Sequence, residues 1–184
     1  MQSTESKEQR LKRVDMHDFF SQKINSAMEA ERYIEASWLI YSCFENRYFR
    51  TVEKVKGFCK YSGGKCKKSG NELALRTKVK CLQRLAESNC SCIRDNFTDE
   101  LFEKTLKWVK ARNKLMHDLL RLEEYAEMDE KFKSSAEEGV ELLEETYKAC
   151  TGFRASFYDD DYSFVFPDEC MEKCSCKPRN NLEE

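Results

Sequence analysis

Breakers of regular structure are nearly absent from this chain outside one short stretch, and that restricts the fold more than anything else in it. The 184 residues include only two prolines and six glycines, and four of those glycines fall within GFCKYSGGKCKKSG at 57–70. A fold built from tight turns and short strands needs these residues at frequent intervals, whereas long helices do not. Elsewhere apolar residues recur at spacings of three and four, the signature of a helix with one face toward a core.

The first such stripe runs over 15–48 through Phe20, Ile24, Ala27, Ile34, Trp38 and Tyr41, and predicts one long amphipathic helix. After the loop at 57–70, a second helix is expected over 71–88, with Leu73, Leu75, Val79, Leu82 and Leu85 inward. Thr98 followed by Asp99 and Glu100 predicts an N-cap with acidic first-turn residues. The helix it starts carries Leu101, Leu106, Trp108 and Val109, with Trp108 in the core. A last helix, over 129–153, carries Val140, Leu142, Leu143 and Tyr147 inward and glutamates outward. The expected fold is therefore an all-α, up-and-down bundle of four to five helices over 15–153. It is flanked by a disordered polar arm at 1–14 and an irregular, cysteine-containing tail at 154–184.

The chemistry-bearing residues concentrate in WVKARNKLMHDLLRL, which follows Trp108. Arg112, Asn113 and His117 stand there on an otherwise apolar-patterned helix, and His117 is one of two histidines in the chain. Arginine stays charged at any relevant pH and can fork onto a phosphate. Histidine both accepts and donates a proton near neutrality. Asn113 and His117 are four apart, so the amide is placed to hold a ring nitrogen. Arg112 and His117 are five apart and diverge by about 140° on an ideal helix. Their convergence requires either a break in the helix or a second subunit. Leu115, Leu119 and Leu122 are expected to anchor the segment in the core. Lys104, Lys107, Lys110 and Lys114 recur at three, three and four, giving either a solvated face or a track for phosphates approaching Arg112. Glu31, on the first apolar stripe, is either an edge residue reaching water or a buried carboxylate orienting Arg112 or His117.

This Arg-polar-x3-His spacing resembles the signature of the HEPN superfamily, helical proteins many of which are metal-independent RNases. The resemblance covers six residues, Arg112 to His117. It implies a homodimeric endoribonuclease that leaves 2′,3′-cyclic phosphate ends. In that reading His117 is general acid or base, Arg112 stabilises phosphoryl charge, Asn113 orients His117 or a phosphate, and RNA is the substrate. HEPN RNases often act as toxins or antiviral effectors, which implies an antitoxin or other regulatory protein as partner. Catalysis of this kind needs no cofactor. Two other readings of the same residues stay open: a non-catalytic helical interaction protein, and a metal-binding module anchored by cysteines.

Ten cysteines are several-fold above average use. Cys59 and Cys66 bracket a Gly-Gly turn, Cys90 and Cys92 form a close pair, and Cys170, Cys174 and Cys176 form a triple. None is a CxxC pair, but thiolates of the loop and tail are competent to hold a structural zinc. Core-filling reduced thiols are the simpler reading. The net charge of −2 excludes a protein that coats nucleic acid through an overall basic field, though not a local basic site. With no apolar leader or membrane-length apolar run, a cytoplasmic location away from membranes is expected.

Overall fold

The computed structural model describes residues 7–56, 74–87, 91–119 and 125–156. These residues form an all-α domain: α1 (Lys7–Glu29), α2 (Tyr33–Lys56), α3 (Leu75–Glu87), the single turn α4 (Ser91–Arg94), α5 (Asp99–Asp118) and α6 (Tyr125–Ala155). Six helices among the described residues exceed the four to five expected. The difference arises from α4 and from a break where one helix was predicted. Two boundaries also shift, since α1 already begins at Lys7, inside the expected arm, and α6 starts at Tyr125 rather than near 129. The tail at 157–184 lies outside the described residues.

The break lies at 30–32. The amide of Arg32 donates to the Ala27 carbonyl at 2.8 Å, and that of Glu31 to the Met28 carbonyl at 3.1 Å, with Glu31 at φ 56°. That pair of bonds around one left-handed residue is a Schellman ending, which normally places glycine where Glu31 stands. Glu31 is thus an exposed turn residue rather than a position on a helical stripe. The turn also resets the helical phase. Ile24 and Ala27 of α1 are buried, but the core face of α2 is Ala36, Ile40, Phe44, Tyr48, Val52 and Val55. Trp38, expected inward, is 52% exposed.

The most extensive helix contact is between α2 and α6; α1 folds back on α2, α5 lies against α6 and α3, and α3 also meets α2. The core between them is aromatic, with Phe44, Tyr48, Phe97, Phe102, Trp108 and Phe153 all fully buried. Phe97 stacks on Phe102 with centroids 5.6 Å apart, and Trp108 meets Phe44 at 5.0 Å. Burial of rings this size supplies much of the stabilisation of the domain. Trp108 has its one polar atom satisfied, since Nε1 donates to the Ser135 carbonyl of α6 at 2.8 Å. This close approach depends on Gly139, where a Cβ would lie 2.8 Å from Trp108 Cζ2. The expected cap of α5 is present: Thr98 has extended backbone (φ −74°, ψ 153°) and its side chain accepts from the Leu101 amide at 3.1 Å.

Candidate functional site

Helix α5 is unbroken from Asp99 to Asp118, so the motif residues keep the divergent directions of an ideal helix. Arg112 is buried, only 5% exposed, while His117 is exposed and Asn113 half-buried. Within one chain, Arg112 and His117 therefore serve different sides of α5. Leu115 and Leu119 are half-buried rather than core, and Leu122 lies outside the described residues.

Arg112 enters a slot formed by α2. Its guanidinium carbon sits 4.7 Å from the Trp38 ring centroid and 4.6 Å from that of Tyr41. Trp38 and Tyr41 are three apart on α2 and hence share a face. Both belonged to the predicted apolar stripe, and the structure gives them instead to the cation. Nη1 donates to Asn113 Oδ1 at 3.2 Å, so Asn113 is engaged with Arg112. Nε and Nη2 are buried with no hydrogen-bond partner among the described residues. These two nitrogens form the side-on fork of the guanidinium, which matches two oxygens of a phosphate or carboxylate. Burial pushes Arg112 below its usual value, opposed by Tyr41, and burial raises Tyr41. No carboxylate lies within salt-bridge distance of Arg112 among the described residues, and Glu31, exposed in its turn, is not placed to orient it.

All four lysines of the stripe are exposed. On a helix of 100° per residue, His117 lies about 20° from Lys110 and 60° from Lys114, but Arg112 lies well off that line. The stripe consequently leads to His117 and not to Arg112. Its positive charge is partly matched: Lys104 pairs with Glu100 at 2.8 Å and approaches Glu145 at 3.9 Å, and Lys114 stands 4.0 Å from Asp118. A groove of about 600 Å³ between α5 and α6, lined by Ala111, Lys114, Leu115, Asp118, Glu130, Lys131, Ser134, Ser135 and Glu138, includes neither Arg112 nor His117.

A second buried cation was not anticipated from sequence. Lys78 of α3 is 3% exposed, bonds Glu45 Oε1 at 3.3 Å and lies 5.7 Å from the Phe49 centroid. Unlike Arg112 it has its carboxylate, which makes it a joint between α2 and α3. Of the cysteines, Cys43, Cys92 and Cys150 are buried and Cys81 is half-buried; none of the four is in a disulfide. Burial raises the Cys43 and Cys150 thiols, as expected of core fillers rather than nucleophiles. No group of three potential metal ligands occurs among the described residues. Cys59, Cys66, Cys90, Cys170, Cys174 and Cys176 lie outside them, so the proposed zinc falls there too. Among the described residues no helix is long and apolar enough to cross a membrane. Comparison with protein-family models, with curated proteins and with solved structures gave no match.

Proposed function

We propose that this chain is a HEPN-type, metal-independent endoribonuclease that works as a homodimer in the cytoplasm, serving as a toxin or antiviral effector restrained by a partner protein. The observation that carries this reading is the side-on fork of Arg112, buried without a partner among the described residues and covered by an exposed tryptophan. A buried donor left unpaired costs about 1–3 kcal/mol, and a purely structural arginine has its donors satisfied. Two phosphoryl oxygens would satisfy both nitrogens. The guanidinium would then stabilise charge developing on phosphorus during attack by the neighbouring 2′-hydroxyl.

His117, exposed at the end of the lysine stripe, is the proton-transfer group. Because it diverges from Arg112 on an unbroken helix, the working site takes Arg112 from one subunit and His117 from the other. The test is cleavage of single-stranded RNA in EDTA. Wild-type protein should cleave and leave cyclic phosphate ends, and His117→Ala should be inactive with an unchanged melting temperature. Mixing inactive Arg112→Met and His117→Ala subunits should restore part of the activity through heterodimers. Absence of cleavage by the wild type, or full activity in His117→Ala, would overturn the reading.

A non-catalytic interaction protein is the second reading. It is favoured by the separation of Arg112 and His117 onto different sides of α5 in one chain. A strictly monomeric protein without RNase activity would establish it in place of the first.

A further inference from the structure

The half-exposed Trp38 and the sealed fork of Arg112 belong to one device. Arg112 is 95% out of contact with solvent, yet one wall of its slot, the Trp38 indole, is itself 52% exposed. Tyr41, the other wall, is half-buried. Of the two walls, the Trp38 indole is the one more open to solvent, so a ligand reaching Nε and Nη2 past it displaces the indole. An exposed tryptophan on a globular surface is a large apolar group in water without compensation from the core. Here it covers a cation with no counter-ion among the described residues.

We infer that Trp38 is a gate and stacking platform, and that with Arg112 it forms a binding site for one unit of single-stranded RNA: base on the indole, phosphate on the fork. This deepens the nuclease reading and rests on it for the choice of ligand. The chemistry required is a planar π-system attached to a pair of oxygens that share one negative charge, as in a phosphodiester. The guanidinium donates from Nε and Nη2 to two non-bridging phosphate oxygens, while Asn113 keeps Nη1 occupied and so fixes which edge of the fork is offered. The indole, once moved, stacks on the adjoining base whatever its identity, since every base has a π-face. Sequence preference at this position should accordingly be weak.

The experiment separates binding from cleavage by using a 2′-O-methyl RNA octamer, which lacks the attacking hydroxyl. Tryptophan fluorescence reports on the gate, because Trp108 is fully buried and Trp38 is the exposed indole. The octamer should quench the long-wavelength emission of the wild type, and this change should vanish in Trp38→Phe. Binding should weaken about tenfold or more in Trp38→Ala and recover most of the way in Trp38→Phe, the pattern of stacking. Arg112→Gln should weaken binding and reduce the slope of log Kd against log salt by roughly one contact. Arg112→Lys, which keeps the charge but not the fork, should weaken it as well.

Equal affinity for the octamer in wild type and Trp38→Ala would overturn the inference. So would inorganic phosphate competing fully with the octamer while Trp38→Ala binds normally, which would leave a plain anion site. Cleavage of unmodified RNA by Trp38→Ala at wild-type kcat and KM would sink the gate and leave the nuclease intact. Octamer binding as described, with no cleavage of unmodified RNA, would keep the site and remove the nuclease.

Discussion

Replacing Arg112 by methionine should stabilise the fold while removing function, and the structure allows the size of the effect to be worked out. The substitution loses two cation–π contacts, with Trp38 and Tyr41 at 4.7 and 4.6 Å, and one hydrogen bond to Asn113. Partly desolvated cation–π pairs contribute about 1 kcal/mol each, and a charge-assisted hydrogen bond about 1.5–3 kcal/mol. On the other side, Nε and Nη2 no longer sit unpaired, which recovers about 2–6 kcal/mol for the pair. An ion with no counter-charge is also removed from a buried slot, and exchanging buried ions for apolar side chains of similar volume is often neutral or stabilising by about 1–4 kcal/mol. Methionine fills the slot between two rings with a thioether that itself favours aromatic contact. The recovery of about 2–6 kcal/mol roughly matches losses of about 3.5–5 kcal/mol, and removal of the uncompensated charge tips the balance toward a net stabilisation of roughly 1–2 kcal/mol.

Urea denaturation and thermal melting of Arg112→Met against wild type provide the measurement. At about 2–4 °C per kcal/mol for a domain of this size, the melting temperature should rise by roughly 2–8 °C. Arg112→Ala makes the complementary comparison, because it empties the slot under Trp38 and should fall below methionine in stability by the cost of that cavity. A residue kept for a ligand is expected to behave in this way, since stability is given up where a site must stay unsatisfied until it binds. If Arg112→Met instead lowers stability by more than about 1 kcal/mol, the arginine is a structural strut, and the reasoning from its unpaired nitrogens fails.

Gly139→Ala should destabilise by about 1–2 kcal/mol despite the better helix propensity of alanine, because its Cβ would meet the rigid, fully buried Trp108 ring at 2.8 Å; a stability equal to wild type in urea would contradict this. Glu31→Gly should stabilise by about 1 kcal/mol in the same assay, since glycine takes the φ of 56° without strain; a loss of stability would show that the turn has another determinant. Stability should also fall in alkali. Burial raises Tyr41, Tyr48 and Tyr147 above the ordinary 10, and Cys43 and Cys150 above 9. The unfolded chain therefore releases these protons first, so the stabilisation is complete near neutrality and lost as pH rises beyond about 9. Tyr48→Phe should flatten part of that decline in denaturation curves taken between neutral and alkaline pH, and an unchanged slope would exclude Tyr48 as a contributor.

The parts of the fold legible in the sequence were those set by local chemistry. Thr98 with two acids behind it marks a helix start because the hydroxyl and the carboxylates act on the first turn alone, and the structure has that cap. The Trp108 position in the core followed from the apolar spacing around it. The turn at 30–32 carried no such mark. Ala30, Glu31 and Arg32 are all good helix formers, and the break is made by tertiary packing that folds α1 back on α2, at the expense of a strained Glu31. With no local mark for the break, the apolar stripe through Ile34, Trp38 and Tyr41 continues the phase of α1 in the sequence. That phase points Trp38 inward, whereas the inner face of α2 runs from Ala36 to Val55 and Trp38 is exposed.

The same dependence on phase decides what the motif means. Sequence spacing puts Arg112, Asn113, His117 and four lysines on one segment with Arg112 and His117 about 140° apart, and leaves open whether a helix break or a second subunit brings them together. Helical geometry divides them: the lysines lead to His117 on an exposed side, while Arg112 turns under α2 and binds Asn113 to itself. The aromatic walls of its slot come from a helix more than sixty residues earlier, in a pair three residues apart that reads as ordinary core from sequence. Only when α2 lies across α5 does an aromatic pair become a cover for a cation. In the proposed nuclease, a single subunit would thus present Arg112 and His117 on sides of α5 that face apart. Under that proposal, chemistry that needs both groups obtains one of them from a second chain, and assembly itself becomes a condition of activity.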